Sequence, residues 1–380
     1  MPLAVDFFAD IDLQEAAFAC RKLGNLKRGF QRDSLLRALA ALAKQAPSPV
    51  LGFVYGAGFE QRPELLTPIG ERWPLLGSDA ATVHSIKTPE TFFAALDRLG
   101  VAHPLTLTQR PAKAASWLAK KRGGAGGSHI VPARLASGDM YYQQHIEGRA
   151  VSALFAGNGT DARVLGFSEQ WTAPKPGSRW RYGGAARPAR LNAAASRAMT
   201  LAVTRLARCF EIKGLASADF LVDADAAFLL EINPRPGATL DIFDCGANKL
   251  LRFHVDAALR GRLPSRRPKF EDAMASAIVY AEHGGRAPSD AVWPHWTADR
   301  PKSSEWIDKN QPICTVWARG STMTQAKRLI EERICKILAG FQKISRGEDG
   351  EQKRRNRRGA QDDMAERQRQ SGTAGQGTHR

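Results

Sequence analysis

Residues Ala218 to Gly237 read ADFLVDADAAFLLEINPRPG. Two apolar segments flank a short Asp/Ala turn, so the stretch predicts an antiparallel hairpin. With the turn centred on Asp225, Asp219 and Glu231 fall opposite each other. Opposed residues on one sheet face hold their Cβ atoms about 5 Å apart, and like charges there repel. A cation is therefore expected between them. Asn233, two residues beyond Glu231, lies on the same face because strand side chains alternate. Two carboxylates and an amide oxygen on one face form a hard-oxygen set suited to Mg²⁺ beside phosphate. The segment points to nucleotide chemistry.

Composition sets the frame. A chain of 380 residues with 43% hydrophobic content can bury a large core and support two or three subdomains. No run of about 18 apolar residues occurs, so no membrane span is expected. The opening MPLAVDFFADIDLQEAA has early acids and no basic leader, unlike a secretory signal. Cys20, Cys209, Cys245, Cys314 and Cys335 are scattered without a CxxC pair. An odd, dispersed set argues for reduced thiols and a cytoplasmic protein. Net charge is +17, and residues 345–380 hold nine basic against six acidic residues, so about +14 belongs to the body. No helix-turn-helix, zinc-finger or RRM pattern accompanies the charge, so a basic cleft for polyanionic ligands is expected rather than a nucleic-acid surface.

Along the chain, Ser34 to Leu42 is helical in pattern and Val50 to Tyr55 (VLGFVY) reads as a short buried strand running into Gly56-Ala57-Gly58. The chain opens almost inside the second element of an α/β unit, so its first strand is expected to be missing or the unit reduced. A helix is expected from Pro89 to Leu99, with Thr88 as N-cap and Gly100 as terminator. A strand should run from Ser116 to Lys121, and further strands lie between Tyr141 and Trp171. A helix from about Asn192 to Phe210 leads into the hairpin. The segment RLPSRRPK after Gly261 reads as a linker, Ala275 to Ala281 and Pro312 to Ala318 as strands, and Thr324 to Leu338 as an amphipathic helix. From Ser345 no hydrophobic period survives, and disorder is expected.

The strand ending in Lys120-Lys121 precedes Gly123-Gly124-Ala125-Gly126-Gly127. Such a loop lets backbone N–H groups approach phosphate while lysines neutralise it. A flexible surface loop fits the residues as well, because no GK[ST] follows. Gly56-Ala57-Gly58 lacks a third glycine and reads as a tight turn.

The order of these features resembles the ATP-grasp superfamily from about residue 50 to 340: Lys87 before a helix, Lys120 before a glycine loop, the Gln143–Gly148 hinge, and the Asp219…Glu231-Ile-Asn233-Pro-Arg235 hairpin. YGAGFE (Tyr55 to Glu60), EINPRPG and PICTVWARG are similar to a "predicted carboligase" branch related to biotin carboxylase. The resemblance implies an α/β plus α+β protein with the ATP-grasp fold. A small N-terminal α/β subdomain (1–85) would precede an ATP-grasp domain of two ATP-clasping lobes (86–260), a strand-and-helix subdomain (261–344) and a disordered tail (345–380). It implies that Lys87 and Lys120 contact ATP phosphates, with Lys121 competing for the second role. Gly126 and Gly127 would close over the phosphates, and Gln143, His145 and Ile146 would hold adenine. Asp219, Glu231 and Asn233 would bind Mg²⁺ or Mn²⁺, and Arg235 would face the reacting phosphoryl or carboxyl group.

Two positions depart from the family pattern. Gln143 stands where a glutamate is frequent, and Ala150 where many members carry a ribose-binding glutamate, so ribose contact must come from elsewhere, such as Glu147. Read singly, His145 fits a packed hinge residue, and His283, Trp293, His295 and Trp296 fit structural positions. The Trp171, Arg179, Trp180, Arg181, Tyr182 stretch fits a substrate loop or a surface loop equally. Arg235 between two prolines could be a rigid turn, but its place behind the carboxylates favours function. The implied activity is a carboxylate–amine ligase using small-molecule acid and amine substrates through an acyl phosphate, in cofactor biosynthesis and as a homodimer. The alternatives are a bicarbonate-activating carboxylase, for which no biotin-acceptor motif is present, and a non-catalytic nucleotide-binding protein.

Overall fold

A computed structural model describes residues 1–25, 28–244, 249–287 and 293–341. Cys245 and the tail expected to be disordered lie outside the described residues. The four described cysteines are free thiols. No helix among the described residues is long and apolar enough to cross a membrane.

The frame is an eight-stranded antiparallel sheet. Its spatial order is Ala226–Asn233, Lys213–Asp223, Arg149–Asn158, Ala162–Thr172, Tyr182–Arg187, Ala273–Tyr280, Pro312–Gly320 and Thr297–Ala298. The central strand Arg149–Asn158 explains why its sequence is apolar almost throughout. Val151, Ala153 and Phe155 point into one core, while Leu154 and Ala156 point into another. The first core is closed by the helices Pro89–Arg98 and Ala193–Cys209 through Phe92, Leu96, Met199, Val203 and Leu206. On the opposite face Leu250 and Ala257 of the helix Leu250–Arg260, with Phe243, cover Leu154, Leu165 and Leu215. The helix 323–341 packs Ala326, Ile330, Ile337 and Phe341 against the strands Ala273–Tyr280 and Pro312–Gly320.

A separate four-stranded antiparallel sheet has the order Thr106–Leu107, Met140–Gln144, Trp117–Lys121, Ile130–Pro132. The chain passes from it to the large sheet through residues 145–148. The N-terminal unit opens with Leu3–Asp6 paired parallel with Ala19–Lys22, followed by the helix Arg32–Ala43.

Local expectations mostly hold, with informative differences. VLGFVY forms no strand; Phe53 makes only an isolated bridge to Leu75, because the segment has one partner instead of a ladder. Thr88 occupies the N-cap position, but its hydroxyl donates to the His84 carbonyl and caps nothing. Asn192 does cap its helix, accepting from the Ala195 N–H. The hairpin turn comprises Ala224 and Asp225, since Asp223 pairs with Ala226. That register alone would set Asp219 against Leu230. A bulge between Asp219 and Phe220 inserts Leu230 as an extra residue and restores Glu231 opposite Asp219.

Candidate active site

The hairpin delivers its acids to one face. Asp219 pairs with Glu231 across one edge and with Ser152 across the other. The Ser152 hydroxyl donates to Asp219 Oδ1 at 2.6 Å, Gln170 Nε2 donates to the same oxygen at 3.3 Å, and Asn233 Nδ2 donates to Oδ2 at 3.2 Å. Both carboxylates are half-buried. Burial and the facing Glu231 push the Asp219 carboxyl well above its usual range. Burial also pushes Glu231 upward, but Lys87, Lys120 and His129 outweigh it and hold that group low. Lys87 and Lys120 are the larger causes, and burial draws His129 itself below its ordinary value. The pair therefore holds a negative charge that is only partly compensated.

Two lysines approach from different elements. Lys87 ends the helix Ala80–Lys87 and donates from Nζ to Asn233 Oδ1 at 2.9 Å. Lys120 lies on the small sheet with only 4% of its surface exposed. Burial lowers its pKa, against the pull of Glu231 and Asp219. A buried ammonium of this kind is stabilised by an added anion. Lys121, the next residue, points the other way and is exposed, as strand alternation requires. A small cavity behind Glu231 is lined by Lys87, Phe92, Phe93, Tyr141 and Leu230.

The glycine loop folds back on the large sheet. Gly126 accepts a hydrogen bond from the Tyr182 N–H at 3.0 Å. Gly127 has φ +73°, and a Cβ there would stand 1.7 Å from the Trp180 carbonyl oxygen. Glycine at 127 thus permits a backbone docking as well as a left-handed turn. The partner of this loop is the Trp180–Tyr182 end of the stretch that fitted a substrate loop or a surface loop by sequence, of which Trp171 and Tyr182 lie in strands. His129 packs over Gly124 and its Nδ1 lies 3.2 Å from the Ala125 carbonyl.

At the hinge, Gln143 is buried and donates from Nε2 to Thr106 Oγ1 at 3.2 Å. The His145 N–H is taken by the Ser116 carbonyl, whereas the Ile146 N–H has no partner among the described residues. The His145 ring is exposed and lies 3.9 Å from the exposed Glu147. Ala150 is a strand residue opposite Leu221.

Arg235 sits beside the acids, but its guanidinium is already engaged. Nε binds the Glu60 carboxylate and Nη1 donates to the Pro236 carbonyl at 3.0 Å. Their side chains are 10% and 2% exposed. Tyr55 directs its hydroxyl at the carbonyls of Ser78 (2.8 Å) and Pro234 (3.1 Å). Sequence reasoning missed Glu60, Tyr55, Ser152, Gln170 and His129 as parts of this constellation. YGAGFE was visible as a motif, yet nothing in it says that Glu60 reaches Arg235, 175 residues away.

The order of these parts matches a known family. A family model described as "ATP-grasp domain" matches residues 90–239. This chain carries an ATP-grasp domain. No curated protein matches it by sequence. Several solved ATP-grasp structures share its fold. A biotin carboxylase from Campylobacter jejuni is similar with a TM-score of 0.64 at 16% identity, over 85% of this chain and 83% of that one. An N5-carboxyaminoimidazole ribonucleotide synthetase from Thermotoga maritima has a TM-score of 0.62 at 13% identity, over 87% and 91%. An L-amino acid ligase from Bacillus licheniformis has a TM-score of 0.63 at 14% identity, over 87% and 96%.

Among the described residues no cluster of three His, Cys, Asp or Glu side chains forms a metal site. The set at the ATP-grasp hairpin is two carboxylates and one amide. Its donors are hard oxygens, and its uncompensated charge suits a divalent cation that completes its shell with phosphate or water.

Proposed function

We propose that this chain is an ATP- and Mg²⁺-dependent ligase. It activates a carboxylate as an acyl phosphate, which an amine attacks to give an amide with release of phosphate. The reading rests on one observation above others: Asp219, Glu231 and Asn233 share a sheet face with Lys87 bound to that set and Lys120 beside it. Asp219, Glu231 and Asn233 would hold Mg²⁺, whose charge offsets that of the phosphates during transfer. Lys87 and Lys120 fix the phosphate chain before reaction, so little reorganisation is needed as charge moves. Gln143 and the Ile146 N–H would hold the base. The docked glycine loop shields a labile acyl phosphate from water. No enzyme nucleophile is required.

The test is ADP release by purified protein across carboxylate and amine libraries, with hydroxylamine as a general acceptor. Formation of an acyl hydroxamate supports the ligase. Parent-level turnover by Asp219→Ala or Glu231→Ala would refute the metal assignment. A second reading, activation of bicarbonate, draws on the biotin carboxylases among the similar structures. It requires phosphate release that depends on bicarbonate and needs no organic acid.

A further inference from the structure

We infer that Glu60 is a positioning residue that holds Arg235 in a single orientation and leaves one guanidinium edge for the transferred phosphoryl group. The inference rests on the ligase reading above and assigns a role in it to the N-terminal unit. Glu60 is 2% exposed at its side chain, so its carboxylate has lost almost all contact with water. A buried carboxylate persists only when its oxygens are satisfied. Here Oε1 takes Arg235 Nε, and Oε2 takes the Gly58 N–H at 3.0 Å. Burial raises its pKa, but Arg235 and Lys87 outweigh that and keep it ionised.

The consequence falls on Arg235. With Nε on Glu60 and Nη1 on the Pro236 carbonyl, Nη2 is the nitrogen without a partner among the described residues. A guanidinium otherwise has five donors and can rotate among several anion-binding modes. Two fixed bonds remove that freedom. Tyr55, five residues before Glu60, also binds the carbonyl of Pro234, so the N-terminal unit grips both the backbone and the side chain of the 234–235 turn. Pre-orientation of this kind is what makes a donor effective at developing charge. Glu60 lies in the YGAGFE run, and among the described residues Arg235 is its one side-chain hydrogen-bond partner.

Inorganic phosphate, added to protein saturated with MgADP, probes the site of the transferred group. Calorimetry reads its affinity separately from that of MgADP. Glu60→Gln should weaken phosphate about tenfold, the loss expected when one charge-assisted hydrogen bond is misaligned, with MgADP affinity unchanged. Arg235→Met should weaken phosphate at least as much, and adding Glu60→Gln to it should cause no further loss. If Glu60→Gln folds poorly, Glu60→Asp keeps the charge but withdraws it by one methylene and should show a smaller loss of the same kind. Unchanged or tighter phosphate binding in Glu60→Gln, or additive losses in the double variant, would overturn the inference alone. Failure of the parent to bind MgADP would overturn the ligase reading and this inference with it.

Discussion

Asp219→Asn should make the ligand-free protein more stable and abolish its stabilisation by MgADP. Asp219 is raised from an ordinary value near 3.8 to about 6, first by burial and then by Glu231. Each tenfold is worth about 1.4 kcal/mol, so ionising this carboxyl in the folded state costs at most about 3 kcal/mol at neutral pH. Solvent reaches the half-buried pair and reduces the figure. The asparagine keeps an acceptor for Ser152 and Gln170 but turns a donor toward Asn233 Nδ2, a loss of about 1 kcal/mol. The net gain should be about 1–2 kcal/mol. The sign follows from linkage. Between about pH 4 and 6 the folded protein holds a proton that the unfolded chain has released, so parent stability falls as pH rises through that window. The variant lacks this slope. Urea unfolding in EDTA at pH 5 and pH 8 should show the two nearly equal at the lower pH and the variant ahead at the higher. With saturating MgADP the order should reverse, because binding to the folded state stabilises the parent by mass action. A variant less stable than the parent in EDTA at pH 8, or equally stabilised by MgADP, would refute the reasoning.

Gly127→Ala places a methyl group against the Trp180 carbonyl and should undock the glycine loop, lowering MgATP turnover at least about tenfold while leaving the global unfolding midpoint nearly unchanged. Faster proteolysis within residues 122–129 is the independent readout; Gly126→Ala, where nothing lies within 4 Å, should do less, and equal behaviour of the two would count against the docking. His254 accepts from the Leu215 N–H at 2.8 Å, so its other ring nitrogen donates to the Leu76 carbonyl at 2.7 Å and the ring is neutral. Burial lowers its pKa, so the unfolded chain binds the proton first and stability should drop as pH falls below about 6.5. His254→Phe should cost about 2–4 kcal/mol by leaving two buried backbone groups unpaired, and it should lose that acid slope in unfolding titrations.

Much of the site was legible because its motifs are local. Asp219, Glu231, Asn233 and Arg235 lie within one hairpin, where strand alternation places three of them on one face. Lys120 could be preferred over Lys121 by the same alternation, and the helix starting at Pro89 and stopping before Gly100 follows from short-range signals. VLGFVY misled because apolar β-branched character marks burial and cannot supply a neighbouring strand. Glu60, Ser152 and Gln170 were not legible as site residues, since each acts across a register or a packing contact between distant segments.

The bulge at Leu230 separates the two kinds of information. From sequence alone, the spacing of Asp219 and Glu231 about an Asp/Ala turn set two acids opposite each other. The actual turn, centred half a residue earlier, would have turned Glu231 to the opposite face. Only the tertiary structure, with Leu230 extruded while its neighbours Leu229 and Ile232 stay in the core, brings Glu231 back. The same holds for Arg235: its place behind the acids is written in the chain, but its orientation depends on a carboxylate that folding brings from the N-terminal unit. Covalent neighbours constrain which face a side chain takes, and packing between distant segments decides what it meets there.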